Sequence, residues 1–240
     1  MLKPIDQTLK VATLVCPGVF LPDVVDANAA FSMSPNVETH LVWKTLEPFN
    51  GMPNWPMAAT TTYDECPDVD VLIVGAIPPE VIVDPEVIAF FKQKAKHAAA
   101  IIGICYGVLV LGTAGLLEGR RATTNFQLGE SLKDFGAVPV SGGRVVVDGN
   151  LYTAGPVHGC FEAALIALAA LRGEDIAKMI ELTLEYNPHP PFKVGSPELA
   201  GPDLMKKSLD SFQEITNIYL ETARTAYQIN RTGADVLRLS

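Results

Sequence analysis

Positive charge is scarce in this sequence. Eighteen Lys and Arg stand against 27 Asp and Glu, the formal net charge is −9, and no run of basic residues occurs. Phosphate binding needs a clustered positive surface, so nucleic acid is excluded as the primary partner. Long apolar runs are missing too. The longest, Ile101 to Leu117, is broken by four glycines and a cysteine, and Glu118, Arg120 and Arg121 follow it at once. That is short for a membrane span. The opening "MLKPIDQTLK" lacks the apolar core of a signal peptide. The four cysteines, Cys16, Cys66, Cys105 and Cys160, form no CxxC pair and no His/Cys cluster of the metal-binding kind. These absences set the expectation of a cytoplasmic protein with free thiols, away from membranes and without a bound metal. No internal repeat or low-complexity linker divides the chain. Its 240 residues, about half of them hydrophobic, read as one domain over 1–240.

What is present is an alternation of strands and helices. "KVATLVCP" predicts a buried strand that Pro17 and Gly18 end, and "DVVDANAAF" (23–31) a short helix opened by Asp23. "VETHLVWK" alternates as a strand, "PFNGMPNWP" reads as a Pro-rich loop, and "MAATTTY" as a further short strand. "VDVLIVGA" (69–76) is rich in branched residues, as a central buried strand is. "DPEVIAFFKQKAKHAA" offers Asp84 as N-cap and Pro85 at the first helical position. "RVVVDGNLYTAG" carries Asp148-Gly149 between apolar runs, a hairpin signal. "PVHGCFEAALIALAALRG" predicts a buried helix stopped by Gly173, with another helix after it. "NPHPPFKVGSPELAGP" reads as irregular, and an amphipathic helix as a C-terminal extension at about 203–230. Its apolar stripe is Met205, Leu209, Phe212, Ile215 and Tyr219, which needs a partner surface in the same domain or in a second subunit. The pattern predicts an α/β fold, a three-layer sandwich around a mostly parallel sheet.

"AAIIGICYGVLVLGTAGLLEGRRATTNF" (99–126) carries the chemistry. A branched strand runs to Cys105, which stands between Gly103 and Gly107 in "GICYG". Small residues at those spacings let a strand and the next helix approach closely while the side chain between them is pushed out at the sheet edge. That is the physical content of a nucleophile elbow, and it predicts strained backbone at Cys105. The start of the following helix would favour thiolate over thiol. The competing reading is a buried structural cysteine. Asp23 reads either as a helix N-cap or as a group near the Cys105 sulfur. Gly75 and Ala76, after the central strand, are candidates to offer N–H groups to a developing negative charge, although Pro78 and Pro79 remove donors from the same loop. Tyr106 would shape the pocket or donate its hydroxyl to a substrate. His158 is open between a structural role and one facing the Cys105 pocket, while Cys160 reads as core packing.

The blocks "GICYGVLVLGTAGLLEGRRATTN", "DGNLYTAG" and "LEYNPHPPFKVGSP" resemble the ThiJ/PfpI superfamily, and within it the isocyanide hydratases. The resemblance covers most of the chain. It implies a fold like that of class I glutamine amidotransferases, Cys105 as nucleophile, Asp23 as the acidic residue beside it, and a homodimer. Four positions depart from the family pattern: Tyr106 after the cysteine, Asn125 where many relatives carry His, "VGAIPPE" in place of a glycine-rich loop, and His158 where the hydratases carry a small residue. The implied activity is hydration of a small isocyanide to an N-formamide without a cofactor. The alternatives are a non-catalytic redox or stress sensor with an oxidisable Cys105, and a thiol enzyme acting on glyoxals or amides.

Overall fold

The computed structural model describes residues 2–141 and 145–232. Its first strand, β1 (Leu9–Leu14), stops just before Pro17 and Gly18. Helix α1 (Leu21–Ser32) holds Pro22 in its first turn, where a missing N–H breaks no helical bond. It starts ahead of the predicted Asp23, and Asp23 is not its cap: Phe20 takes that position, with no side-chain bond. The predicted second strand is β2 (Val37–Trp43). The Pro-rich loop proves to be a small hairpin, β3 (Phe49–Gly51) and β4 (Trp55–Met57), pairing Phe49 with Met57. Of the strand expected over 57–63, Met57 ends β4 and only β5 (Thr61–Thr62) joins the main sheet.

The central strand is β6 (Val71–Val74). A one-turn helix, α2 (Pro79–Ile82), occupies the expected Pro78–Pro79 loop, with a proline again in its first turn. Helix α3 (Pro85–Lys94) begins as predicted, the Asp84 carboxylate accepting the Glu86 N–H at 2.9 Å. Next, β7 (Ala100–Ile104) runs through a single 3-10 turn, Cys105–Gly107, into α4 (Val108–Thr113). Two short strands, β8 (Arg121–Ala122) and β9 (Val138–Pro139), pair in parallel beside a 3-10 stretch, Gly129–Phe135. The predicted hairpin forms from β10 (Val146–Asp148) and β11 (Leu151–Ala154); Arg144, with which that prediction begins, lies outside the described residues. Helix α5 (His158–Arg172) ends at Gly173, α6 (Glu174–Thr183) follows, and α7 (Pro197–Thr232) closes the described chain. Gly201, at φ +74°, and Pro202 interrupt α7, so its first turn falls inside the stretch expected to be irregular.

The main sheet has seven strands in the order β10-β11-β7-β6-β1-β2-β5. Every pairing is parallel except β10 with β11. Alternation along the strands divides their side chains between two cores. Leu9, Val11, Val71, Ile73, Ile102 and Ile104 pack with α1 and α5 on one face. Ala12, Leu14, Leu72, Val74 and Ile101 pack with α3, α4 and α7 on the other. Burying each large aliphatic side chain contributes about 1.5–3 kcal/mol, so both layers of helix are anchored by the same strands. The result is the mostly parallel α/β sandwich that the alternating pattern predicts.

The chain leaves β1 toward β2 on one side and β6 toward β7 on the other. Strand order therefore reverses between β1 and β6, and the carboxyl ends of such strands open onto a crevice where ligands bind. The segments after β1, β6, β7 and β11 all meet at that edge. Among the described residues no helix is long and apolar enough to cross a membrane. Among them, too, no group of three or more His, Cys, Asp or Glu is placed to hold a metal ion.

Candidate active site

Cys105 leaves β7 with φ at +54°, in the left-handed region that side chains rarely adopt. The elbow strain expected from "GICYG" is present, and such strain costs about 1–3 kcal/mol unless the surroundings hold it. Gly107 is what lets the turn close. A Cβ there would lie 2.2 Å from the Gly75 carbonyl oxygen and 2.7 Å from that of Val74, both backbone atoms of the neighbouring strand end. Gly107→Ala is expected to destabilise the fold by roughly 3 kcal/mol or more, the upper range for overpacking, because rigid backbone must move. Urea denaturation checks this, and a midpoint equal to that of the wild type would refute it.

Asp23 is fully buried in the first turn of α1. Its Oδ2 accepts the Ala76 N–H at 2.9 Å and its Oδ1 accepts the Val157 N–H at 2.8 Å. The carboxylate thus ties together the segments after β1, β6 and β11. Gly75 makes this possible, since a Cβ on it would meet the Asp23 Cβ at 2.6 Å. Val157 has φ +54° and ψ −100°, a strained conformation for a β-branched residue, at the entry to α5. Beneath the acid, the Cys160 Sγ donates to the Asp23 carbonyl at 2.7 Å.

The electrostatics oppose the expected thiolate. The Cys105 thiol is pushed up to about 12, first by burial and then by the charge of Asp23. The Asn125 side chain and the Tyr106 N–H pull the other way and are outweighed. The start of α4 does not rescue a thiolate, because that helix has six residues and stands behind the 3-10 turn. Burial also raises the Asp23 carboxyl above its ordinary value, with Asp26 adding to the rise and the Val157 and Ala76 N–H groups opposing it. An ionised Asp23 thus adds to the burial that keeps the Cys105 thiol protonated.

Other expectations fare unevenly. The Ala76 N–H is taken by Asp23, so it is not free for a developing negative charge. For Gly75 the geometry gives a spacing role, letting α1 approach. The Tyr106 hydroxyl pairs with Thr216 Oγ1 at 3.0 Å, within the chain, and its ring stacks on Tyr219 at 4.1 Å between centroids. His158 opens α5 with its side chain 75% exposed and its Nδ1 3.7 Å from Asp26. It turns to that carboxylate on the surface and not to the sulfur, because the strained Val157 aims its own N–H inward and leaves the next residue outside. His40, His97 and His189 are no nearer the thiol: the first bonds Thr61, the second is exposed, and the third bonds the Asn187 carbonyl.

Thr124 and Val157 join the site without having been singled out from the sequence, and Asn125, noted there only as a departure from the family pattern, contacts the sulfur. Asn125 Nδ2 donates to the Cys105 Sγ at 3.4 Å, and Thr124 Oγ1 to the Cys105 carbonyl at 2.6 Å. Both are buried polar residues; the sequence marked Asn125 only as the position where many relatives carry His, and it gave no signal for Thr124. Val157 left no signal, since its strain is created by contacts far away in sequence.

An open, mostly parallel sheet carrying a strained thiol at the end of β7, with a buried carboxylate in the helix after β1, defines a cysteine-elbow α/β protein. The sequence pattern of the DJ-1/PfpI family matches residues 9–170, and the chain belongs to that family. It is 36% identical over 230 residues to an isonitrile hydratase from Pseudomonas putida, covering 93% of this chain and 99% of that protein. The crystal structure of a ThiJ/PfpI family protein from Pseudomonas syringae superposes with a TM-score of 0.83 at 30% identity, over 92% of this chain and 90% of that one. Drosophila melanogaster DJ-1beta shares the fold, with a TM-score of 0.67 at 17% identity over 74% of this chain and 98% of that one.

Proposed function

We propose that the protein hydrates a small organic isocyanide to the corresponding N-formamide, with Cys105 as nucleophile and Asp23 as the proton-transferring group. The observation that carries this reading is the strained Cys105 elbow at the same sheet edge as the buried Asp23 carboxylate, which two backbone N–H groups hold and whose charge the thiol feels. The similarity to an isonitrile hydratase over nearly the whole chain supports it. Addition to an isocyanide forms the S–C bond while the isocyanide carbon takes a proton, giving a thioimidate. Asp23 relays that proton from the thiol to the carbon, so no standing thiolate is required. Water then adds to the thioimidate carbon as Asp23 accepts one of its protons and the nitrogen gains one. The C–S bond breaks, the sulfur recovers its proton and the formamide leaves. Isocyanide and water are consumed and the thiol is restored.

The other readings fit the residues less well. Attack on an amide or a glyoxal builds negative charge on oxygen and calls for free N–H donors, and the Ala76 donor is already engaged. A redox sensor works through an accessible, low-pKa thiol, whereas Cys105 is buried and its pKa is raised. The direct test is incubation of the purified protein with an aliphatic isocyanide and detection of formamide. Absence of turnover with a series of isocyanides would overturn the reading.

The same reading takes the chain as one ThiJ/PfpI-type domain, with α7 as its C-terminal extension, acting as a homodimer. Leu209, Phe212 and Ile215 of the predicted stripe are each 39–49% exposed, so this half of α7 lacks a cover in its own chain. Light scattering at micromolar concentration is expected to give twice the mass of the chain, and a monomer mass would refute the dimer.

A further inference from the structure

The part of α7 that does pack on its own chain lands beside the reacting groups. Thr216, Leu220 and Ala223 are buried, and Tyr219 is partly buried on the same side of the helix. The Tyr219 hydroxyl donates to the Ile77 carbonyl at 2.9 Å. Ile77 follows Ala76, which gives its N–H to Asp23 and accepts the Phe20 N–H at 2.8 Å. Beyond it, Pro78 and Pro79 have no N–H with which to pin the loop. One turn of α7 thus reaches the loop that holds the acid. The same turn reaches the elbow: Tyr219 stacks on Tyr106 with 23° between the rings, and Thr216 pairs with the Tyr106 hydroxyl. Tyr106 is the residue after Cys105. Burial and the neighbouring Tyr106 and Cys105 hold the Tyr219 phenol protonated, so it stays a donor.

We propose that Tyr219 and Thr216 are positioning residues of the active site, fixing the Asp23 loop and the Cys105 elbow relative to each other through Ile77 and Tyr106. Neither touches the reacting atoms. They act on the distance and alignment across which the proton and the sulfur must move, a quantity to which rates are steep. Only the kinetic half of the test rests on the hydratase reading.

Tyr219→Phe keeps the ring and removes the hydroxyl, Thr216→Val removes the partner of Tyr106, and Thr216→Ser restores a hydroxyl there. Tyr227→Phe is the control, because Tyr227 lies two turns further along α7 and its hydroxyl donates to Glu118 at 2.8 Å, away from the site. Tyr219→Phe and Thr216→Val are expected to lower kcat for isocyanide hydration about tenfold with KM within about twofold. Thr216→Ser should recover most of the loss, and Tyr227→Phe should leave both constants unchanged. Alkylation of Cys105 by iodoacetamide, followed by peptide mapping, should quicken roughly threefold or more in the first two variants, because the elbow opens more often. Should Tyr219→Phe match wild type in both measurements, or Tyr227→Phe produce the same changes, α7 is packing and no more. Should the wild type hydrate no isocyanide, the functional reading falls by itself and the alkylation rates alone decide the role of α7.

Discussion

Cys105→Ala is expected to abolish formamide formation from any isocyanide that the wild-type protein turns over. The alanine removes the atom that bonds to the isocyanide carbon and changes little else. Its Cβ fits where the cysteine Cβ stood, and the Thr124 bond to the residue 105 carbonyl does not depend on the side chain. Asn125 loses its sulfur acceptor, at a cost of about 1–3 kcal/mol for a buried donor left unpaired. A folded but inactive variant is therefore the expected product. Circular dichroism and formamide detection on the same sample check both halves. Quenched wild-type reactions should also yield a Cys105 peptide heavier by the mass of one isocyanide. Retained turnover in the alanine variant would remove the covalent mechanism. A further consequence concerns alkaline stability. The folded state holds the Cys105 proton until about 12, whereas an unfolded thiol releases it near 8.5, so the native state binds more protons between those values. Stability carried by that thiol is intact below the unfolded value and is lost as pH rises through this window. Cys105→Ala should accordingly lose less stability than wild type between those limits.

Much of the fold could be read because its signals are local. Gly103 and Gly107 frame the elbow within five residues, Asp84 and Pro85 mark the start of α3, and the Gly149 turn joins two short apolar runs. The errors lie where a distant partner decides. Asp23 before a run of apolar residues looks like a cap, yet its carboxylate bonds to N–H groups 53 and 134 residues away. The elbow was legible as a thiol turn, but its electrostatics were not. A helix start can be seen in sequence, while the degree of burial that outweighs it cannot. Prolines hid two elements: α2, where Pro79 starts a helix, and the hairpin from Phe49 to Met57, where Pro56 sits in an edge strand. The C-terminal helix carries the stripe Met205, Leu209, Phe212, Ile215 and Tyr219, which reads as needing a cover in the same domain or in a second subunit. Only its later part packs on the domain, along Thr216, Tyr219, Leu220 and Ala223, because that is where α2, α4 and the Gly129–Phe135 turn offer a surface. His158 went outward for a related reason, the strain of Val157 next to it.

Asp23→Ala should slow hydration by about 10²–10⁴-fold, the usual worth of a positioned acid or base, while leaving the nucleophile in place. Two opposing changes accompany it. The Ala76 and Val157 N–H groups lose their acceptor, which destabilises by about 1–3 kcal/mol for each that water does not reach. Against this, a buried carboxyl whose ionisation is disfavoured is removed, and the Cys105 thiol is relieved of the charge that helps to raise it. The thiol should therefore ionise more readily in the variant, and alkylation of Cys105 at pH 8 should be faster than in wild type. Slower turnover with a more reactive thiol separates proton transfer from nucleophilicity. The pH profile gives a second separation. In wild type, activity needs the pair to hold a single proton, so it falls at acid pH with a midpoint above the ordinary carboxylate value, in keeping with the raised Asp23. The alkaline fall lies near the thiol value of about 12, so the profile stays flat through neutral pH. In Asp23→Ala the acid limb should vanish and the residual rate should rise with pH as the thiolate forms. The covalent adduct should persist in this variant, because water addition has lost its base. An Asp23→Ala protein that turns over like wild type, or that keeps the acid limb, would show that another group moves the proton.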